Sequence, residues 1–299
     1  MSSMPVHRVL LPSVRASSNR LSKAFLVYHV CSNWHEVIGA LAKHTIDDHS
    51  STYQLRFRDG SSHQTHIYRN ALVAVYFQYY SRVLGLEPKI DQPELLHAAE
   101  RVNSQLINTF SSEGRLQPTA GGVFGLKEVL LYSIVKSIRP EIIVETGVGQ
   151  GVSSTAILLA LKTLGHGRLI SIDLPNFVTQ GYVNADGQRD WVHLPADKST
   201  GWLVPDELRS KWTLLIGSSR DLLPSIRGNI DMFFHDSDHS YVNMTYEYEW
   251  AITQLSNGGV LSSDDVGWNH AYRDFLRKHP QLSDRIRSEG FHAAQLREG

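Results

Sequence analysis

The stretch EIIVETGVGQGVSSTAILLALKTL, residues 141–164, decides the fold of this chain. It runs from a short apolar, β-branched segment through a turn with three glycines into an apolar segment of helical length. Downstream, the apolar segments RLISID, WTLLIG, IDMFFH and GGVLSSD are predicted strands. Strands that are apolar throughout and alternate with helices indicate a parallel sheet covered on both faces. The second half of the chain is therefore predicted to be a doubly wound, mostly parallel α/β domain.

The N-terminal part of the chain has a different pattern. Residues 93–110 have the spacing of an amphipathic helix, and residues 51–68 alternate like the two strands of a hairpin with an Asp-Gly turn. A loop rich in turn residues follows the helix, so we expect a smaller α+β segment over residues 1–110 and a second domain over residues 111–299. The short segment cannot bury its aromatic residues alone, so we expect it to pack on the second domain, cover the substrate or join the subunits of a homo-oligomer.

The composition argues against several classes of function. With 29 basic and 30 acidic residues, the chain lacks the positive charge of an electrostatic nucleic-acid binder. Cys31 is the only cysteine, so neither an intrachain disulfide nor a thiolate zinc site can form. The longest apolar runs, such as Ala71–Phe77, are too short to span a bilayer. We expect a cytoplasmic protein with no nucleic-acid or membrane partner, although the basic first 35 residues also have the composition of a transit peptide.

Three glycines separate the first predicted strand from its helix: Gly147, Gly149 and Gly151. They let the backbone turn sharply and approach a ligand, and the start of the helix offers free N–H groups. Asp173 closes the next predicted strand, where a carboxylate can bind ribose hydroxyls. Ser154 stands where a dinucleotide fingerprint needs its last glycine, and the acidic Glu145 suits a cationic ligand with an amino group, such as S-adenosylmethionine. The alternative is a structural turn without a ligand.

Three acidic residues follow two neighbouring predicted strands. Asp236 comes directly after IDMFFH, and Asp264 and Asp265 come after GGVLSS. Because parallel strands end at the same edge of a sheet, we expect the three carboxylates to converge on a hard divalent cation, best suited to Mg²⁺. Such a metal would lower the pKa of a bound hydroxyl and orient it. The alternative is that Asp264 and Asp265 form a helix cap and Asp236 is a loop acid.

A histidine accompanies the acidic residues. His239 lies three residues beyond Asp236 on the same loop, where a neutral imidazole could accept the proton of a substrate hydroxyl. It could instead donate a hydrogen bond or orient the metal ligands. His235 lies on the strand itself and points to the side opposite Asp236, so we expect it in the core or at the edge of the cofactor site.

Two loops are predicted to cover the substrate. Residues 175–195 form an insertion too long for a plain connection, and residues 117–124 contain paired glycines that would give mobility. The side chains predicted to shape a substrate pocket are Phe177, Tyr182, Trp191, Trp268 and Asn269.

Four segments between residues 122 and 268 carry a family resemblance: VETGVGQGVSS, LISIDLP, LLIGSSRDLLP and IDMFFHDSDHSY with GGVLSSDDV. In them the chain resembles a class I S-adenosylmethionine-dependent methyltransferase, closest to the metal-dependent small-molecule O-methyltransferases that include macrolide-sugar and cephalosporin-pathway enzymes. The resemblance implies a Rossmann-like methyltransferase sheet, metal bound at Asp236, Asp264 and Asp265, and His239 as the base. The cofactor-binding residues that it implies, from the methionine end through the ribose to the adenine, are Glu145, Gly147, Gly149, Ser153, Asp173, Ser218, Ser219, Arg220 and Asp236.

The predicted function is therefore transfer of a methyl group from S-adenosylmethionine to a hydroxyl of a small molecule, such as a specialised metabolite or a sugar. Mg²⁺ and a histidine base would assist the transfer. Three alternatives remain at this stage. The chain could methylate nitrogen or a peptide without metal, it could be an NAD-dependent oxidoreductase, or it could be a binding protein that kept the fold without the reaction.

Overall fold

The computed structural model describes residues 51–56, 62–67, 92–112, 124–174, 182–184, 186–187, 189–190, 194–195, 197–287 and 290–297. The chain divides into two compact units, Met1–Tyr68 and Arg69–Gly299. In the first unit, β1 (Ser51–Arg56) pairs antiparallel with β2 (Ser62–Ile67), as the alternating pattern predicted. The Asp-Gly turn predicted between them lies outside the described residues.

The second unit contains the elements that position the candidate site. Its helices are α1 (Gln92–Ser112), α2 (Leu126–Ile138), α3 (Val152–Leu164), α4 (Ser219–Leu222), α5 (Tyr241–Gln254) and α6 (Ala271–Lys278). Its strands are β3 (Ile142–Thr146), β4 (Arg168–Asp173), β5 (Tyr182–Val183), β6 (Arg189–Asp190), β7 (Trp212–Ile216), β8 (Ile230–His235), β9 (Leu255–Ser263), β10 (Leu282–Arg287) and β11 (His292–Leu296). The amphipathic helix predicted over residues 93–110 is α1, which contacts α3 within this unit.

The main sheet has the strand order β10-β11-β9-β8-β3-β4-β7. The five strands from β9 to β7 pair in parallel, and β11 runs antiparallel to both of its neighbours. From β3 the chain steps through β4 to β7, whereas from β8 it steps in the opposite direction to β9. Right-handed crossovers then place α3 and α5 on opposite faces of the sheet. The prediction of a doubly wound, mostly parallel sheet is confirmed, and its switch point lies between β3 and β8.

Apolar strand residues form the core of the sheet. Val144, Phe233 and Leu261 come from three adjacent strands and are fully buried, and α5 covers them with Met244 and Tyr248. Their burial is what the uniformly apolar strands predicted. The same packing fixes the strand ends from which the polar residues of the candidate site emerge. Among the described residues, no helix is long and apolar enough to cross a membrane.

Candidate active site

The polar residues predicted from the sequence lie at the carboxyl edge of the parallel strands. Backbone hydrogen bonds continue the ladder just beyond the strand ends, so these residues stay in register with one another. The bonds run from Gly147 N to Ile172 O (2.9 Å), from Gly217 N to Asp173 O (2.8 Å), from Asp236 N to Thr146 O (2.8 Å) and from Asp264 N to His235 O (2.9 Å). The glycine loop, Asp236 and Asp264 therefore meet at the switch point, where ligands bind in open α/β sheets.

The glycine loop requires glycine for two physical reasons. Gly147 and Gly151 have φ values of 82° and 91°, in the left-handed region that side chains rarely adopt. A Cβ atom on Gly147 would also lie 1.9 Å from the carbonyl oxygen of Asp236. The loop therefore packs directly on the backbone that carries Asp236, and this contact joins the predicted cofactor loop to the acidic cluster.

Asp173 holds the glycine loop in place. Its carboxylate accepts hydrogen bonds from the backbone N–H groups of Gly149 (2.8 Å), Val148 (3.2 Å) and Leu174 (2.8 Å). Burial raises the pKa of Asp173, and these hydrogen bonds oppose that change. The carboxylate lies beside the loop as predicted, and its contact with a ribose stays a prediction.

Glu145 lies on β3, and its side chain is fully buried next to the start of α3. Its carboxylate accepts hydrogen bonds from the hydroxyls of Ser153 (2.7 Å), Ser154 (2.6 Å) and Ser171 (2.6 Å). Burial raises its pKa, and the three hydroxyls act in the opposite direction. Glu145 and Ser153 thus bond to each other and tie the strand to the helix. Their contact with the methionine end of a cofactor stays a prediction.

The residues predicted near an adenine, Ser218 to Arg220, begin the short helix α4. Ser218 caps it by accepting a hydrogen bond from the N–H of Arg220 (3.1 Å). The Arg220 guanidinium lies 4.7 Å from the ring centroid of Tyr246 on α5. The Arg220 side chain therefore faces α5 in the structure, and the adenine contact of Ser218, Ser219 and Arg220 stays a prediction.

Glu247, on α5, is a buried acid that the sequence analysis missed. Its carboxylate accepts hydrogen bonds from Thr146 (2.5 Å), Ser237 (2.8 Å) and Asn243 (3.0 Å), and it pairs with Nδ1 of His235 at 2.6 Å. Burial would raise its pKa, but His235 and the hydrogen bonds outweigh burial and lower it to about 2. His235 is therefore a core residue, one of the two positions predicted for it. The sequence signal that was available is the spacing of Asn243 and Glu247. Residues four apart lie on the same face of a helix, and here that face is turned towards the sheet.

Asp236 and Asp264 converge as predicted, and the cation between them is Lys127. The Lys127 ammonium lies 2.8 Å from Oδ2 of Asp236 and 2.7 Å from Oδ2 of Asp264. Burial raises the pKa of Asp236 to about 8, with repulsion from Asp264 adding to the effect and Lys127 opposing it. For Asp264, burial acts in the same direction, but the charge and hydrogen bond of Lys127 hold its pKa below the usual range. The sequence analysis assigned no role to Lys127.

His239 lies next to the acidic cluster. Its ring is buried, and its Nε2 is 3.8 Å from Oδ1 of Asp236 and 3.8 Å from Oδ2 of Asp265. Trp268 packs against the imidazole with ring centroids 5.1 Å apart, and the amide of Asn269 donates a hydrogen bond to the His239 carbonyl (2.8 Å). Trp268 and Asn269, predicted for a substrate pocket, thus hold the histidine.

The three predicted metal ligands do not form a three-carboxylate cage in this arrangement. Asp236 and Asp264 share Lys127, while the Asp265 side chain is 43% exposed and faces His239. Within the part of the chain that the structure describes, no group of three His, Cys, Asp or Glu side chains is placed to hold a metal ion. In this arrangement the carboxylates of Asp236 and Asp264 bind the ammonium of Lys127. Binding of Mg²⁺ stays a prediction, and it would require the Lys127 side chain to move away from these carboxylates.

Only part of the predicted lids can be described. In the insertion over residues 175–195, Asp186 accepts a hydrogen bond from the backbone N–H of Tyr241 (2.7 Å) and so reaches the loop that carries His239. The side chains of Phe177, Tyr182 and Trp191 and residues 117–123 lie outside the described residues.

The sequence analysis also missed Gly201, which packs on the glycine loop. The N–H of Gly201 donates a hydrogen bond to the carbonyl oxygen of Gly149 (2.9 Å), and a Cβ atom on Gly151 would lie 2.9 Å from the Cα of Gly201.

Comparisons with known proteins agree with this architecture. Residues 144–266 match a family model described as a methyltransferase domain. The O-methyltransferase NovP is 16% identical over 69% of this chain and 98% of its own, with a TM-score of 0.51. The O-methyltransferase TomG from Streptomyces achromogenes, solved in complex with SAM, is 16% identical over 78% of this chain and 100% of its own, with a TM-score of 0.45. The O-methyltransferase from Bacillus cereus, solved in complex with SAH, is 19% identical over 73% and 96%, with a TM-score of 0.44.

No curated protein matches this chain significantly. The matched segment runs from β3 to just beyond β9, so it includes both sides of the switch point. It also contains the glycine loop, Asp173, Asp236, His239 and Asp264. Together with the strand order of the sheet, the match supports a Rossmann-like methyltransferase fold for this part of the chain.

Proposed function

We propose that this protein transfers the methyl group of S-adenosylmethionine to a hydroxyl of a small molecule. The observation that carries the proposal is the direct contact, at the switch point, between the glycine loop and the loop bearing Asp236 and His239. A nucleoside bound on the first loop would place its reactive end at the second. NovP, with the same fold, is an O-methyltransferase, which favours oxygen as the acceptor atom.

The glycine loop and its neighbours are proposed to bind the cofactor. The glycines bring the backbone close to the ligand, and the start of α3 adds N–H groups. When bound, S-adenosylmethionine supplies a methyl group on a positively charged sulfur. Asp173 lies beside the loop at the end of β4, the position that binds ribose in dinucleotide folds. Two buried acids near the loop, Asp173 and Glu145, suit a cationic ligand.

His239 is proposed to accept the proton of the acceptor hydroxyl as the new oxygen–carbon bond forms and the sulfur–methyl bond of S-adenosylmethionine breaks, with S-adenosylhomocysteine as the leaving group. Its ring is buried, so substrate bound there would be shielded from water. Asp236 and Asp265, each 3.8 Å from Nε2, favour the imidazolium that the transfer creates. Trp268 and Asn269 fix the ring and the loop, which keeps the base aligned with a bound hydroxyl.

The acceptor hydroxyl could also be activated by Mg²⁺ bound at Asp236, Asp264 and Asp265, in addition to the histidine base. The convergence of the first two carboxylates favours it, and the ion would lower the pKa of a substrate hydroxyl. We also propose, from composition and the sequence resemblance, a specialised metabolite or sugar as acceptor and a cytoplasmic homo-oligomer as the working form.

A methyl-transfer assay tests the proposal. The protein is incubated with S-adenosylmethionine and a panel of hydroxylated small molecules, and mass spectrometry follows formation of S-adenosylhomocysteine. We expect acceptor-dependent product from the wild type and at least about tenfold less from His239→Ala. In parallel, S-adenosylhomocysteine should raise the melting temperature and NAD should not. A shift with NAD and none with S-adenosylhomocysteine would overturn the proposal in favour of an oxidoreductase.

A further inference from the structure

We propose that Lys127 is the resident cation of this site and that its ammonium takes the place of a divalent metal between Asp236 and Asp264. The ammonium lies within hydrogen-bonding distance of both carboxylates, at 2.8 and 2.7 Å. The three side chains are 17–21% exposed, so their charges interact with little screening by solvent. Lys127 would therefore hold Asp236 in position beside His239 as a positioning residue.

The position of Lys127 is unusual for a lysine, which suggests a role. It is the second residue of α2, and the first turn of a helix disfavours cations because its free N–H groups carry partial positive charge. A lysine that only covered the surface would be better placed at the other end, as Lys136 is. The two aspartates outweigh this unfavourable location. A residue that goes against such a local preference, and that lies in a cluster of polar side chains, is typical of a functional site.

The backbone around Lys127 is anchored by buried hydrogen bonds. The N–H of Gly125 donates to the carboxylate of Glu128 (2.8 Å), which fixes the start of α2. Asn103 of α1 is fully buried, accepts a hydrogen bond from the N–H of Phe124 (2.7 Å) and donates one to its carbonyl (3.1 Å). Helix α1 thus fixes the entry to α2, so the base of the Lys127 side chain is aimed at the sheet edge.

A divalent cation and the Lys127 ammonium compete for the same oxygens. Mg²⁺ binds carboxylate oxygens at about 2.0–2.1 Å and keeps an octahedral shell. An ammonium already 2.7–2.8 Å from the same Oδ2 atoms of Asp236 and Asp264 leaves no position for such an ion without displacement of the lysine. Removing Lys127 should therefore create a metal site that the wild type lacks. The consequence for catalysis rests on the proposed function, whereas the competition for the carboxylates does not.

Mn²⁺ binding tests the inference without any cofactor or substrate. Electron paramagnetic resonance of free Mn²⁺ gives the dissociation constant for the full-length wild type and for Lys127→Gln, Lys127→Arg and the matched control Lys136→Gln at the far end of α2. We expect Lys127→Gln to bind Mn²⁺ at least about tenfold more tightly than the wild type. Lys127→Arg, which keeps the charge, and Lys136→Gln should behave like the wild type. Adding Asp236→Asn to Lys127→Gln should remove the gain.

Two results would overturn the inference. One is a wild type that binds Mn²⁺ as tightly as Lys127→Gln and loses the ion in Asp264→Asn, since Lys127 would then be displaced by metal. The other is a folded Lys127→Gln with no gain in affinity. If Lys127→Gln does not fold, Lys127→Met, which keeps the aliphatic stem, takes its place. A failed titration with S-adenosylhomocysteine alongside the expected Mn²⁺ pattern would reject the proposed function and leave this inference standing.

Discussion

Glu247 lies on helix α5, Asp236 lies on the preceding loop that carries His239, and the surroundings of the two carboxylates are opposite. Glu247 is fully buried among His235 and hydroxyl and amide donors, which lower its pKa to about 2 although burial opposes them. Burial and repulsion from Asp264 raise the pKa of Asp236 to about 8, although the Lys127 ammonium that it shares with Asp264 opposes them. The first carboxylate is locked in its charged form as part of the scaffold. The second has the perturbed pKa and partial exposure that are typical of a functional group.

The largest expected effect comes from removing the buried carboxylate of Glu247. Glu247→Ala leaves His235 and several donors buried without their acceptor, so the free energy of unfolding should fall by about 3–5 kcal/mol. Urea denaturation followed by circular dichroism measures the change. Glu249→Ala, on the same helix but 32% exposed and paired with Lys278, should cost less than about 1 kcal/mol. Equal losses in the two variants would contradict the contrast between the buried and the exposed acid.

Acid titration sharpens the same comparison. The folded-state pKa of Glu247 lies below its ordinary value of 4.5, so its stabilisation is fully present above about pH 4.5. That stabilisation is lost as the pH falls through the folded pKa of about 2. The difference in free energy of unfolding between the wild type and Glu247→Gln should shrink by about 3 kcal/mol over this window. A difference that stays constant from about pH 5 to about pH 2 would show that the charge of Glu247 does not stabilise the fold.

On the functional side, His239→Ala should lower the methyl-transfer rate at least about tenfold, since a general base contributes about 10²–10⁴-fold. Stability and S-adenosylhomocysteine affinity should change little, because His239 is proposed to act on the acceptor and not to bind the cofactor. His270→Ala, exposed just before α6, is the matched control and should keep the wild-type rate. Near-normal turnover in His239→Ala with an unchanged pH profile would assign proton removal to another group.

The smallest expected effect concerns Glu145, a second carboxylate that is fully buried and hydrogen-bonded. Ser154→Ala removes one of its three hydroxyl donors and should cost about 1 kcal/mol of stability. Thermal unfolding of the variant measures this cost. Ser225→Ala serves as the control, because its hydroxyl is bonded at an exposed site to Leu222 O. A larger loss in Ser225→Ala than in Ser154→Ala would contradict the role of Ser154 at the buried acid.

The central sheet was predictable because its strands are apolar on both faces. RLISID and IDMFFH became β4 and β8 with the predicted bounds, and the polar residues after them lie at one edge as parallel pairing requires. The C-terminal strands β10 (LSDRIR) and β11 (HAAQL) were not predicted, because neither has the continuous apolar run of the parallel strands.

The charged partners of the site could not be predicted from its own segments. The three acids and His239 lie on two loops that strand order brings together, but Lys127 comes from a helix more than 100 residues earlier in the chain. No sequence pattern within that helix connects Lys127 with the acids. Likewise, the serine partners of Glu145 and the Thr146 and His235 partners of Glu247 come from other elements of the fold. Only the spacing of Asn243 and Glu247 on one helix gave a local signal.

The most direct test of the central claim, that the switch point is a methyl-transfer site, is a calorimetric titration with S-adenosylhomocysteine. The wild type should bind one molecule per chain. Gly147→Val should abolish binding, because its side chain would enter the space that the Asp236 carbonyl occupies, and a melting curve will show whether this variant is folded. His239→Ala should retain wild-type affinity. No binding heat from the folded wild type at any temperature tested, or equal binding by a folded Gly147→Val, would contradict the account.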